Sequence, residues 1–210
     1  DASAASQSAT PAESAAEPAS VHPGVVRRTR LIGAYRAGFG GSIDYDYSEV
    51  PFSPEQTVSD DLILTQSVLV RLEIPAGPYV SVGGMLQLSS GNSERADQLG
   101  ESAFSLFDLG VLVRGRYAIK VGSITLEPSI AIPVGFTTGV FDKNLTGQPA
   151  FGWHIGLLFG GQVFIGDHFG LVIEAGWLRH SLNVDGRNGP VDATLSQGLF
   201  QLGIVVAVGA

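Results

Sequence analysis

The chain contains no cysteine. That excludes a disulfide framework and any thiolate metal site, and it suits a chain that crosses an oxidising compartment unfolded. Most of the chain also lacks the unbroken apolar run of about 20 residues that a membrane helix needs. Charged residues are scarce, at 15%, yet hydrophobic residues reach 44% and the mean hydropathy is +0.24. Basic residues are the scarcer sign, 12 Lys and Arg against 20 Asp and Glu, giving a net charge of −8. Nucleic acid is a poor partner for such a surface. The 28 glycines and 11 prolines among 210 residues disfavour helices and suit turns and crowded strand faces. An apolar chain without an apolar helix is reconciled by strands in which only alternate residues are apolar.

What is present is a period of two. Leu31, Gly33, Tyr35, Ala37, Phe39, Gly41, Ile43, Tyr45 and Tyr47 share one phase, and Arg36, Gly38, Gly40, Ser42, Asp44 and Asp46 the other. Sustained alternation puts one face in an apolar medium and the other in a polar one. Arginines and carboxylates interleaved with glycines fit a narrow polar lumen inside a wall that faces lipid. Eight such segments follow one another, at about 30–47, 62–74, 79–90, 104–119, 124–136, 150–165, 169–183 and 197–209. In the second, Leu62, Leu64, Val68, Val70, Leu72 and Ile74 are expected to point one way and Ile63, Thr65, Ser67, Leu69, Arg71 and Glu73 the other.

The connections alternate as well. Those around Ser48–Asp61, Gly91–Ala103, Thr137–Pro149 and Asp185–Thr194 read as long polar loops, and those at Pro75–Pro78, Lys120–Gly122 and Gly166–His168 as tight turns. The expectation is an all-β protein: a closed eight-stranded antiparallel transmembrane β-barrel over residues 30–210, with both termini on the side of the short turns. Residues 1–29, rich in Ala, Ser, Pro and Glu, read as a disordered tail. The start at Asp1-Ala2-Ser3 reads as a mature form whose leader has been removed. The charge-free stretch from Pro149 to Gly166 carries Gly152, Gly156 and Gly160 at helix-packing spacing, but its alternation of Trp153, Ile155, Leu157 and Phe159 with His154, Gly156 and Gly160 favours a strand.

Strand parity sends Arg36, Arg71, Glu73, Asp108, Arg114, Arg116, Glu127 and Glu174 into the lumen, four arginines against four carboxylates, with His154, Gln162, His180 and Gln201 beside them. An eight-stranded barrel is only wide enough to be filled by its own side chains, so these residues are expected to form an ionic plug. A two-residue turn at Val121-Gly122 would set Arg116 opposite Glu127. Tyr45, Tyr47, Phe136, Trp153, Trp177 and Phe200 near the loop ends, and Tyr117 and Phe169 near the turn ends, read as two interfacial aromatic girdles. Glu94, Asp97 and Glu101, and Asp185 to Asp192, are acidic enough to weigh as cation loops but lack the terminal Glu of a calcium loop, so solvated loops are the better reading. Asn144-Leu145-Thr146 is an accidental glycosylation sequon. His180 with Ser181 and Glu174 suggests a lipid-modifying hydrolase, but parity points His180 inward and Ser181 outward, and no Gly-x-Ser-x-Gly elbow exists.

Residues 30–209, through these alternating strands and segments such as Phe169-Gly170-Leu171-Val172-Ile173-Glu174-Ala175-Gly176-Trp177, resemble the eight-stranded bacterial outer-membrane barrel family that includes outer-membrane proteins A, X and W. The resemblance implies residence in the bacterial outer membrane, contact with lipid and lipopolysaccharide, insertion by the barrel-assembly machinery, and Arg–Glu pairs in the lumen. It also implies a closing aromatic residue that the machinery reads, where this chain has Val208-Gly209-Ala210. The expected function is non-enzymatic, without a cofactor or metal: a monomeric structural or surface-interaction barrel that can meet a surface ligand through its loops. A narrow channel or carrier for small solutes is the first alternative, and the hydrolase the second.

Overall fold

The computed structural model describes residues 28–46, 57–93, 104–141, 149–186 and 189–208. Tyr47, the acidic stretch from Glu94 to Glu101, Asn144 and all but the last two residues of the expected tail lie outside them. The described residues form strands β1 (Thr29–Asp46), β2 (Thr57–Pro75), β3 (Val80–Ser93), β4 (Phe104–Arg116), β5 (Ile119–Val121), β6 (Ile124–Phe141), β7 (Pro149–Ile165), β8 (Phe169–Gly186) and β9 (Gly189–Val208). Every pairing is antiparallel, each strand pairs its sequence neighbours except at β4 and β5, β1 pairs β9, and β4 pairs β6 to close the ring. β5 continues β4 along the same partner, so the ring has eight members. The break falls where Pro128 faces Tyr117: Tyr117 N–H reaches the Pro128 carbonyl at 3.1 Å, but proline has no N–H to return. Closure leaves no open sheet edge, which is what lets strands stand in lipid.

Burial alternates along the strands, and the phase decides what the wall presents. Outward on β4 stand Phe107, Leu109, Val111 and Val113, with Tyr117 just beyond it, and on β6 Ile124, Leu126, Ile130, Ile132, Val134 and Phe136, all exposed. Inward are Asp108, Arg114, Arg116, Thr125 and Glu127, all buried. On β8 the outer face is apolar from Phe169 to Trp177, and on β6 from Ile124 to Phe136. At a rise of about 3.4 Å per residue and a tilt of about 40°, such a band stands roughly 20–30 Å high.

Beyond the band, toward the loop end, the polarity inverts. Ser42, Asp44, Ser59, Arg179, Ser181, Asn183 and Asp192 take the outer face, while Ile43, Tyr45, Leu62, Phe104, Leu106, Phe141, Leu182, Val184, Val191 and Leu195 form a buried apolar cluster inside. This half is built as a barrel in water would be, with hydrophobic burial as its driving force. The sequence reading, which kept one phase throughout, misses it. On β8 and β9 the phase is unbroken and the residue types exchange faces, whereas on β1 and β2 the side chains are turned by a pair of register shifts. Gly40, at φ +55°, sits in an irregularity between Phe39 and Ser42, and a second shift lies between Leu62 and Leu64. Each inserts an extra residue and flips every side chain beyond it. Tyr45, expected outside in the loop-end girdle, is therefore inside, its ring edge-on to Phe141 at 6.2 Å and 73°. Leu62, expected outside, turns inward for the same reason, and Ile63, expected inside, is exposed beside Leu64.

The strands also run further than the alternation of apolar residues suggests. β8 and β9 stay paired to Gly186 and Gly189, so the segment expected as the fourth long loop is largely a strand hairpin. The turn after β5 is Gly122-Ser123, since Val121 pairs Ile124, with Gly122 at φ +60°. That shift moves Arg116 opposite Ser129 instead of Glu127. The tight turn at Gly166–His168 is as expected, with Gly166 at φ +69°, and Arg28 Nη1 donates to the Asp167 carbonyl at 2.7 Å to tie the start of β1 to it.

Candidate functional site

The barrel interior is where the polar residues converge, and it is organised in tiers. Nearest the turns, Arg30 from β1 spans to Glu127 on β6 with paired hydrogen bonds, Nη1 to Oε2 at 2.6 Å and Nη2 to Oε1 at 2.9 Å. Its Nη1 also donates to Gln162 Oε1 at 2.8 Å, and its guanidinium lies 5.0 Å from the Phe164 ring centroid. This bidentate fork is the strong form of an Arg–carboxylate pair. The sequence reading assigned that carboxylate to Arg116 and left Arg30 out, although Arg30 shares the phase of Ile32 and Arg36.

Above it lies a closed quartet. Glu73 Oε1 stands 2.9 Å from Arg71 Nε and 3.0 Å from Arg114 Nε. Glu174 completes the ring, 3.2 Å from Arg71 Nη1 and in contact with Arg114 Nη2. Ser129 accepts from Arg114 Nη1 at 2.7 Å, and Gln201 Nε2 donates to Glu174 Oε2 at 3.0 Å. Two arginines and two carboxylates alternate, so each desolvated charge meets two of opposite sign, the condition under which a buried network is tolerable.

Arg36 departs from the expected balance. Its guanidinium bonds amide oxygens, Gln87 Oε1 at 2.5 Å and Gln201 Oε1 at 2.8 Å. Gln87 Nε2 in turn donates to Asp108 Oδ2 at 2.9 Å, so the two charges communicate through an amide. Asp108 also accepts from Thr137 Oγ1 at 2.7 Å and has the rings of His154 and His180 against it. Among the described residues five arginines are buried with four carboxylates, Arg30 being the one beyond the expected four against four. Toward the loop end Thr65 bonds Gln197, Ser67 bonds Ser89 at 2.9 Å, and the apolar cluster then fills the barrel.

The predicted lumen residues Arg36, Arg71, Glu73, Asp108, Arg114, Arg116, Glu127 and Glu174 are thus all inward, as are His154, Gln162, His180 and Gln201. The polar residues of the interior, from Arg30 to Thr65 and Ser89, are 0–7% exposed, apart from the half-buried Ser129. Thr137, Gln87, Ser129 and Gln197 are participants that sequence reasoning passed over; their phase was readable, but neutral side chains carry no signal that sets them apart from any inward residue.

On the outer wall, Phe136, Trp153, Trp177 and Phe200 stand exposed where the apolar band meets the polar collar, joined by Phe39. Phe136 and Trp153 are cross-strand partners, and Trp177 Nε1 donates to Ser196 Oγ at 2.8 Å. At the turn end Tyr117 and Phe169 are exposed, and Tyr117 stacks on Tyr79 at 6.1 Å and 11°.

No protein-family model and no curated protein matches the chain. Among solved structures it is similar to the outer membrane protein OprG from Pseudomonas aeruginosa, at 9% identity and a TM-score of 0.54, covering 87% of this chain and 97% of that one. Neisserial surface protein A follows at 12% identity and a TM-score of 0.48, covering 85% and 97%, and the outer membrane protease OmpT from Escherichia coli at 9% and 0.35, covering 92% and 100%. The fold is that of an outer-membrane β-barrel.

Proposed function

We propose that the protein is a non-enzymatic barrel of the bacterial outer membrane, a rigid closed post whose loop-end collar and connections do its work at the cell surface. The carrying observation is the filled interior: guanidinium, carboxylate and amide groups interlock through the lower tiers, and an apolar cluster occupies the loop end. The band of outward aliphatic side chains between aromatic rows supports contact with lipid and, on the loop side, lipopolysaccharide. A closed ring offers no free edge for strand pairing, which favours a monomer. His180 is buried while Ser181 lies on the opposite face, which speaks against a shared proton and a hydrolytic pair. Ligand recognition then falls to the connections, held in place by the scaffold.

Planar-bilayer recording of the unmutated protein tests this. The expected result is no sustained current across the purified, folded barrel. A steady, ion-selective open state would overturn the closed post and establish a channel for small solutes.

A further inference from the structure

Among the described residues, Asp108 is the one buried lumen carboxylate that the arginines do not take. Glu73, Glu127 and Glu174 each contact a guanidinium directly. Among the described residues no arginine comes within ion-pair distance of Asp108, and Arg36 reaches it only through Gln87. Two imidazoles stand there instead. His154 on β7 and His180 on β8 are cross-strand partners on the same inward face, with ring centroids 5.6 Å apart. His180 Nε2 lies 3.3 Å from Asp108 Oδ1, His154 Nδ1 lies 3.6 Å from the same oxygen, and one donor atom from each of the three residues falls within 4.8 Å of the others. A tetrahedral ion with bonds of about 2.0–2.1 Å needs its ligand atoms about 3.3 Å apart, so two of the three edges are already close to that length.

The surroundings point the same way. Thr137 Oγ1 lies 2.7 Å from Asp108 Oδ1 and 3.0 Å from His154 Nδ1, and Gln87 orients the other carboxylate oxygen. The His154 ring is wedged in place: a Cβ on Gly110 would come 3.0 Å from Nε2, and one on Gly135 would come 2.8 Å from Cε1. The far nitrogens, His154 Nε2 and His180 Nδ1, have no hydrogen-bond partner among the described residues. The partnered nitrogen of each ring thus faces this corner, His180 Nε2 toward Asp108 and His154 Nδ1 toward Thr137 and Asp108.

We propose that Asp108, His154 and His180 form a binding site for a divalent transition metal of the zinc class, which clips β4 to β7 and β8 inside the barrel. Two neutral imidazoles and a carboxylate are a donor set for such an ion, and the ion supplies the direct positive partner that Asp108 otherwise has only through an amide. All three residues are at most 1% exposed, so the metal enters while the barrel closes and exchanges slowly afterwards.

The test uses the full chain without a histidine tag, refolded from denaturant into detergent micelles with Zn²⁺ or Co²⁺. The heat-modifiable folded fraction is then dialysed against a chelator. About one metal per folded barrel is expected by elemental analysis, with Co²⁺ showing the intense visible bands of a tetrahedral site. The double variant H154Q/H180Q should fall to background, and His168→Gln, at an exposed turn, should keep its metal. His180→Cys replaces one ligand by another and should fold with Co²⁺ bound and a new thiolate charge-transfer band. Wild-type protein folded in metal that retains no more than the double variant would overturn the site. So would a Co²⁺ spectrum indifferent to His180→Cys, since either result leaves the three residues as a hydrogen-bonded cluster alone.

Discussion

Arg30 and Glu127 show how much can hang on one side chain when water is excluded. Both are fully buried, and the pair is bidentate. Glu127→Ala would leave a desolvated guanidinium with Gln162 as its remaining named acceptor, and the expected loss is about 3–5 kcal/mol. Urea titration in micelles, followed by tryptophan fluorescence or the gel shift of the folded form, measures it. Exchanging both partners for apolar residues of similar size, Arg30→Met with Glu127→Leu, should cost far less, because the penalty lies in orphaning a charge and not in lacking one. Arg116→Ala separates this arrangement from the one that turn length alone suggests: if Arg30 is the partner of Glu127, Arg116→Ala should destabilise less than Arg30→Ala in the same titration. At Gly135 the constraint is space. A Cβ there would meet the Leu109 carbonyl at 2.3 Å and His154 Cε1 at 2.8 Å, so Gly135→Ala should cost about 1–3 kcal/mol by forcing strand and ring apart.

Among the elements, β1 decides the most. Its first half obeys the period of two, and its second half obeys it in the opposite phase, the change being made at Gly40 with φ +55°. Gly40→Val places a β-branched residue where such residues are strained, and a loss of about 1–3 kcal/mol is expected. The damage should concentrate at the loop end, seen as faster amide exchange around Ile43 and Tyr45 with the Arg30 tier still protected. The same element shows what the amino-acid string discloses. Alternation located all eight ring strands, because each residue's phase is local information. The phase change is silent, because Phe39-Gly40-Gly41-Ser42 offers glycines, which fit either face. The loop-end extension of β8 and β9 reads as loop because Asp185-Gly186-Arg187-Asn188-Gly189-Pro190 is polar and turn-forming, while its inward Val184, Val191 and Leu195 sit in what looks like the wrong phase. Inward charges were likewise legible by parity. Their partners were not, because Arg30 and Glu127 come from β1 and β6, which share no ladder, and meet only across the lumen once the ring has closed.

For the whole molecule, the proposed orientation predicts that a tag inserted at Asn188 is reached by antibody on intact cells and one at Gly77 is not; the opposite pattern would turn the barrel over. The polarity inversion has a further consequence, for how deep the barrel sits. Its lower part is soluble in lipid and its upper part in water, and the boundary is a row of Phe39, Phe136, Trp153, Trp177 and Phe200. The collar cannot sink without desolvating Asp44, Arg179 and Asp192, and the band cannot rise without wetting its aliphatic face. The protein thus carries a fixed waterline matched to a thin hydrocarbon layer, as the bacterial outer membrane is. Reconstitution into vesicles of increasing acyl-chain length should show insertion yield falling once the layer outgrows the band. Membrane thickness would then act as a sorting criterion that the barrel reads with its outer wall alone.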